Sequence, residues 1–336
     1  MIDLRSDTVT KPSTAMKACM LEAELGDDVF EDDPTVKEFE RKTANMFGKQ
    51  AGLFCPSGTM SNQIALMIHL SPGDEVICSS ESHIYNYEGG GISRNAGASV
   101  RLINRSSGLI YVDEIKNNIN PDDIHYPVTK LVALENTCNR GGGVCYDLEE
   151  IQKISTFCRE EKLATHLDGA RLFNALVKTG VEPKKMGRNF DSVSLCFSKG
   201  LGTPLGSVLI GSNDFIKKAR RVRKVLGGGM RQVGMVAAAG IYALENNIDR
   251  LEIDHNHASA IAAALKKCSW VESVLDVETN IVVANLKSSH SNSSFIDKLN
   301  QKGVLAIPFG DGRIRMVTHL DISRNEIDEV ISAVGF

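Results

Sequence analysis

The chain has 336 residues, 42% hydrophobic and 24% charged, with a formal net charge of −4. That length leaves room for one large or two ordinary domains. The slightly acidic balance argues against nucleic acid as a partner, which calls for a basic surplus, and no apolar run approaches the ~20 residues that span a membrane. Along the chain, strand-like runs alternate with helix-like runs. Pro12 suits a first helical position, and Met16, Cys19, Met20 and Ala23 follow at helical spacing. Asp33-Pro34 opens a second helix carrying Val36, Phe39, Thr43, Met46 and Phe47, with Gly48 at its end. Short apolar runs then recur at 53–55, 75–78, 99–103, 131–134, 163–167, 193–197 and 207–210. They are rich in Val, Ile, Leu and Phe, and most are separated by helix-length segments. This predicts an α/β fold: a large domain with a mainly parallel sheet of about seven strands covered by helices.

Helical spacing resumes over 232–264. Beyond it, 271–277, 281–286, 304–307 and 314–317 read as strands and 295–301 and 324–334 as helices, a smaller C-terminal α+β domain. The expected division is 1–245 and 246–336, with no Pro/Gly linker between them. The eight cysteines are scattered and form no Cys-x-x-Cys pair. They read as small buried hydrophobes in a reducing compartment rather than disulfides or a zinc site. The first seven residues lack the basic-then-apolar pattern of a signal peptide, so a cytoplasmic protein is expected.

Three segments carry chemistry. Ser194-Leu195-Cys196-Phe197-Ser198-Lys199 is a buried-looking strand that ends in a lysine, followed by Gly200, Gly202 and Gly206. A desolvated lysine loses basicity and can form a Schiff base; a surface lysine at a strand end would look the same. Asp168 ends the apolar run Leu163-Ala164-Thr165-His166-Leu167, where open α/β sheets bind ligands. It could pair with a protonated ring nitrogen or simply cap the next helix. Ser57-Gly58-Thr59 follows a strand and precedes Met60, Ile64, Met67 and Ile68 at helical spacing. Such a turn offers backbone N–H groups, hydroxyls and a positive dipole end to a phosphate. A phosphate, a basic ring nitrogen and an aldehyde captured by lysine together describe pyridoxal phosphate.

The sequence resembles the low-specificity L-threonine aldolases, fold-type-I pyridoxal phosphate enzymes with the aspartate-aminotransferase-like fold. The resemblance runs nearly end to end. It rests on Leu4-Arg5-Ser6-Asp7-Thr8-Val9-Thr10, Gly26-Asp27-Asp28-Val29-Phe30, Ser57-Gly58-Thr59-Met60-Ser61-Asn62-Gln63 and His166-Leu167-Asp168-Gly169-Ala170-Arg171. Further carriers are Ser198-Lys199-Gly200-Leu201-Gly202, Gly227-Gly228-Gly229-Met230-Arg231-Gln232 and Val317-Thr318-His319-Leu320-Asp321. One departure is Cys138-Asn139, where the family often has His-Asn.

The resemblance implies retro-aldol cleavage of L-threonine, L-allo-threonine and related β-hydroxy-α-amino acids to glycine and an aldehyde. A β-eliminating lyase or an aminotransferase on the same scaffold is the alternative, because fold does not fix reaction type. It also implies that His83 stacks on the cofactor ring and that His125 is a second active-site histidine near the substrate hydroxyl. Either is a candidate base. Ser6, Arg171 and Arg315 are implied contacts to the substrate carboxylate or to cofactor oxygens, for which a planar guanidinium is suited. Lys224 and Arg231 are implied to reach a neighbouring subunit's cofactor phosphate, in a homotetramer built as a dimer of dimers with shared active sites. Thr8 and Thr10 resemble a region where relatives can hold a structural cation, but the sequence offers no carboxylate cluster there and no metal is expected.

Overall fold

Each of the seven apolar runs becomes a strand of one sheet in the computed structural model, which describes residues 1–335. After a short N-terminal strand β1 (Ile2–Asp3) come β2 (Ala51–Cys55), β3 (Asp74–Ser79), β4 (Ser99–Ile103) and β5 (Val128–Glu135). β6 (Ala164–Gly169), β7 (Ser192–Cys196) and β8 (Ser207–Gly211) complete the set. Their order across the sheet is β2-β8-β7-β6-β5-β3-β4. Neighbours pair in parallel except at β8, which runs against both β2 and β7. The exception has a physical cause. Residues 197–206 are too few for the crossover of a dozen or more residues that a parallel return needs. Every residue of β7 and β8 is buried, as the unbroken apolar runs require when helices cover both faces.

The smaller sheet contains β9 (Val271–Val274), β10 (Ile281–Leu286), β12 (Ile307–Pro308) and β13 (Arg313–Val317), all antiparallel. Between them β11 (Val304–Leu305) pairs in parallel with β1. The run 304–307 therefore splits, because its halves pair with different strands. Ile2 and Leu4 join a core built around Leu265, Phe295 and Met316, while Phe39, Phe54 and Phe197 sit in the larger one. In the larger core the Phe39 and Phe197 rings meet edge-on at 4.7 Å. After pairing with β11, the N-terminal arm crosses to the larger sheet, where Thr10 Oγ1 donates to the Lys199 carbonyl at 2.8 Å.

Local capping adjusts the sequence reading. The first helix is Thr14–Leu21 rather than one opened by Pro12, because Ser13 Oγ accepts from the Met16 amide and caps it. Asp33 caps the helix Pro34–Met46 with Pro34 in its first turn, as expected. The stretch 232–264 is two helices, Gly234–Asn246 and Leu251–Leu265. Asn247 at the break donates its amide to the Leu201 carbonyl at 2.8 Å.

Candidate active site

β2, β6 and β7 share one direction, so their C-terminal ends open on the same edge of the sheet. That edge carries Ser57-Gly58-Thr59, Asp168 and Lys199. The helix Gly58–His69 starts directly against the end of β7: a Cβ on Gly58 would lie 2.4 Å from Cys196 Sγ. Only glycine allows this approach. Ser57 Oγ accepts from the Met60 amide at 3.2 Å, while the N–H groups of Gly58 and Thr59, in the first turn, have no acceptor within the helix. Lys199 is half-buried, and its ammonium makes no ion pair among the described residues.

One flank of Lys199 is acidic. Asp168 is buried; its Oδ2 accepts from Asn62 Nδ2 at 2.9 Å and its Oδ1 from the Ala170 amide at 3.1 Å. Glu88 accepts from Asn62 at 2.9 Å and from Gln63 at 2.6 Å. His83 Nδ1 is 3.0 Å from Glu88 Oε1, and its backbone N–H donates to Glu135 Oε2 at 2.7 Å. One donor atom each of His83, Glu88 and Asp168 lies within 4.8 Å of the others. Burial pulls the His83 imidazole down, but Glu88, Asp168 and Glu135 outweigh it and it titrates above the ordinary value. Burial and the charge of Asp168 push Glu135 up to about 7.

The other flank is basic. Asp7 and Arg171 are both buried and form a bidentate pair, Nε to Oδ2 at 2.7 Å and Nη2 to Oδ1 at 2.6 Å. Burial would raise the Asp7 carboxyl, but Arg171, Lys199 and Asn280 hold it at about 2. Arg315, also buried, donates to Asn139 Oδ1 at 2.8 Å and to the Arg5 carbonyl at 3.2 Å. Its guanidinium stands 4.9 Å over the Phe309 ring, and its Nε is buried without a partner. Burial and the neighbouring Arg171 bring it down to about 10. Ser6 stands beside this group, its hydroxyl accepting from Thr8 Oγ1 at 2.9 Å.

Sequence reasoning placed Lys199, Asp168, His83, Arg171, Arg315, Ser6 and the Ser57–Thr59 turn, and the fold gathers them at this edge. Arg171 is engaged by Asp7, a partner the sequence reading did not assign. His125 is not brought to the cluster. Its side chain is exposed, and its one recorded partner is Asp123, 2.7 Å away. Lys224 and Arg231 are exposed. Arg231 pairs with Asp27 at 2.8 Å. The thiol of Cys138 is buried and donates to the Glu135 carbonyl at 3.1 Å.

Asn62, Glu88, Glu135 and Asn280 were missed as site residues. One signal was readable: Ser61-Asn62-Gln63 places three polar residues in a helix that is otherwise mainly apolar, and all three are buried. The residues present fit pyridoxal phosphate. A first helical turn held open by Gly58 suits the phosphate, Asp168 suits a ring nitrogen and Lys199 offers an amine. The unpartnered Arg315 Nε, with a second guanidinium at Arg171 and one carboxylate at Asp7 nearby, suits a substrate carboxylate.

A family model described as "Beta-eliminating lyase" matches residues 3–289. The chain is 43% identical to a curated probable low-specificity L-threonine aldolase 2 of Arabidopsis thaliana, covering 98% of this chain and 95% of that one. It is likewise 43% identical to a low specificity L-threonine aldolase of Escherichia coli (strain K12), covering 98% and 97%. Its fold is similar to that of a threonine aldolase from Leishmania major, with a TM-score of 0.86 at 22% identity, covering 99% of this chain and 98% of that one. A putative L-allo-threonine aldolase from Listeria monocytogenes superposes with a TM-score of 0.83 at 23% identity, covering 99% and 95%.

Proposed function

The chain belongs to the β-eliminating lyase family and, within it, to the low-specificity L-threonine aldolases, and from that premise we propose that it cleaves L-threonine, L-allo-threonine and related β-hydroxy-α-amino acids to glycine and an aldehyde. It is a carbon–carbon lyase. The observation that carries the reading for this chain is the half-buried Lys199 amine, without an ion pair among the described residues, at the sheet edge that also carries Asp168 and close enough to Asp7 to lower its carboxyl. Pyridoxal phosphate bound at this edge would supply the sink for the electron pair released as Cα–Cβ breaks. Ser57, Gly58 and Thr59 would hold its phosphate, Lys199 its aldehyde carbon, Asp168 its ring nitrogen and His83 the face of its ring.

The remaining chemistry belongs to the protein's own groups. Arg315 binds the substrate carboxylate, with Ser6 beside it and with Arg171 kept in place by Asp7. Two guanidiniums against one carboxylate leave a net positive pocket that a substrate anion neutralises. Fixing the carboxylate also fixes the direction of the Cα–Cβ bond. His83 is the base for the β-hydroxyl proton. Glu88 3.0 Å from its Nδ1 stabilises the imidazolium that results. His125 is a second candidate only if the exposed segment around it folds over the site.

The active form is a homotetramer built as a dimer of dimers, in which Lys224 and Arg231 reach a neighbour's phosphate. Exposed Leu21, Phe30 and Val225 support it, since Val225 flanks Lys224 and the Arg231 guanidinium stands 5.6 Å over the Phe30 ring. Division into a cofactor-binding part, 1–245, and a smaller part, 246–336, is supported by the core around Leu265, Phe295 and Met316, to which only Ile2 and Leu4 come from the first part. Eight free thiols suit a cytoplasmic location.

Purified protein supplied with pyridoxal phosphate and L-threonine should yield glycine and acetaldehyde in equal amounts. An oxo acid, or ammonia release without glycine, would assign the same site to transamination or elimination.

A further inference from the structure

Beneath Asp168 a line of side chains, buried except for the half-buried His69, runs back along one side of the sheet, and the mechanism above does not use it. His166 and Asp168 are two residues apart on β6 and so face the same side of the sheet. The helix Gly58–His69 packs over that side. Asn62 and His69 are seven residues apart on it, two turns along one stripe. Ser192 opens β7 and is the direct register partner of His166.

The two carboxylate partners of Asn62 set the direction of these hydrogen bonds. Asn62 Nδ2 stands 2.9 Å from Asp168 Oδ2 and 2.9 Å from Glu88 Oε1. Both are acceptors, so the amide nitrogen must lie on that side. The opposite atom, Asn62 Oδ1, is 3.1 Å from His166 Nε2. That nitrogen must therefore carry the proton. His166 Nδ1 is 2.8 Å from Ser192 Oγ, and Ser192 Oγ is 2.8 Å from His69 Nε2. With His166 neutral, Ser192 donates to it and accepts from His69. Burial supports the neutral form, holding His166 at about 3 and His69 at about 4. Every donor along this line thus points toward the two carboxylates.

We infer that His166 is a positioning residue for the cofactor ring: as its neutral Nε2–H form it holds the Asn62 carboxamide in one orientation and so keeps Asp168 and Glu88 as hydrogen-bonded acceptors. The inference rests on the cofactor reading above. Without the His166 donor, the buried Asn62 oxygen loses its partner in this line, and the amide is held from the carboxylate side alone. An unpaired buried oxygen loosens the carboxamide and, with it, the position of the Asp168 carboxylate.

The measurement is the equilibrium affinity of the full-length protein for pyridoxal phosphate, titrated by absorbance. His166→Leu removes the donor and should weaken binding ~10- to 100-fold, the range typical for a partner that orients a binding group. His166→Gln carries an N–H to nearly the same place and should stay within about threefold of the parent. In an Asn62→Ala background the His166→Leu effect should shrink to within about twofold, because the two residues act as one unit. Unchanged affinity in His166→Leu, or an equal loss with and without Asn62, overturns the inference. ¹⁵N NMR of the unmodified protein near neutral pH covers a variant that fails to fold. A neutral Nε2–H imidazole at His166 is expected, and an Nδ1–H form or an imidazolium overturns the assignment. A parent protein that shows no saturable pyridoxal phosphate binding would instead sink the functional reading itself, a result distinct from parent binding that His166→Leu leaves intact.

Discussion

The two flanks of Lys199 carry opposite charge and meet the cost of burying it in different ways. On the acidic side, Glu88 meets the His83 imidazole and the amides of Asn62 and Gln63, Asp168 shares the Asn62 amide, and Glu135 accepts from the His83 backbone N–H. Carboxyl and imidazole groups can exchange protons, so this side adjusts itself: Glu135 rises to about 7 and His83 also titrates above its ordinary value. On the basic side a guanidinium keeps its proton at any working pH. Arg171 has Asp7, and Arg315 has only neutral acceptors and an unpartnered Nε. A buried charge without a counter-charge is expensive. The difference teaches that the acidic side is tuned from within, whereas the basic side keeps a surplus charge that an anion from outside would complete.

Removing the group between the flanks has the largest effect. Lys199→Ala should abolish glycine formation and the absorbance band of the cofactor–lysine adduct, both read by spectrophotometry. Retained turnover would mean that neither flank serves an amine at this position. Next comes the imidazole of the acidic side. A positioned base contributes ~10²–10⁴-fold, so His83→Ala should lower kcat by that range. His125→Ala should lower it less, because that side chain stands in solvent beside Asp123. The reverse order would move the base to the exposed segment.

Arg315→Leu tests the basic side. It should raise KM for L-threonine by at least about 30-fold, the lower end of what losing one partner of a buried charge pair costs. Arg315→Lys should recover only part of this, since an ammonium lacks the planar fork. An unchanged KM would show that the surplus charge has another purpose.

Stability against pH gives the smallest signal and the sharpest contrast. Glu135 is raised from 4.5 to about 7. The unfolded chain releases that proton first, so this group lowers stability as pH rises from 4.5 to about 7 and adds nothing further above. Asp7 is lowered from 3.8 to about 2, so its contribution is complete above 3.8 and is lost as pH falls through about 2. Urea unfolding across pH should show Glu135→Gln flattening the upper window and Asp7→Asn losing stability above the lower one. Slopes of the same sign in both windows would contradict the opposed flanks.

Much of the fold was legible because parallel strands buried on both faces appear as unbroken apolar runs, and all seven became strands of the large sheet. Asp168, Lys199 and Ser57-Gly58-Thr59 were legible for a related reason: each follows such a run and has glycine beside it. Their buried partners were not. Asp7 meets Arg171 across 164 residues of chain, and Asn62 meets Asp168 across 106. Such pairs leave no local pattern, since only the folded sheet brings them together. His125 is the opposite case, exposed beside Asp123. Its motif matched a family role, but position in sequence does not say whether a loop closes over a site.

The central claim is that the amine at position 199 is where the cofactor is attached. Borohydride treatment of the protein saturated with pyridoxal phosphate, followed by proteolysis and mass spectrometry, tests it most directly. The account predicts one stoichiometric pyridoxyl label on the peptide containing Ser198-Lys199-Gly200. A label on another lysine, or none on protein that has bound the cofactor, would contradict it.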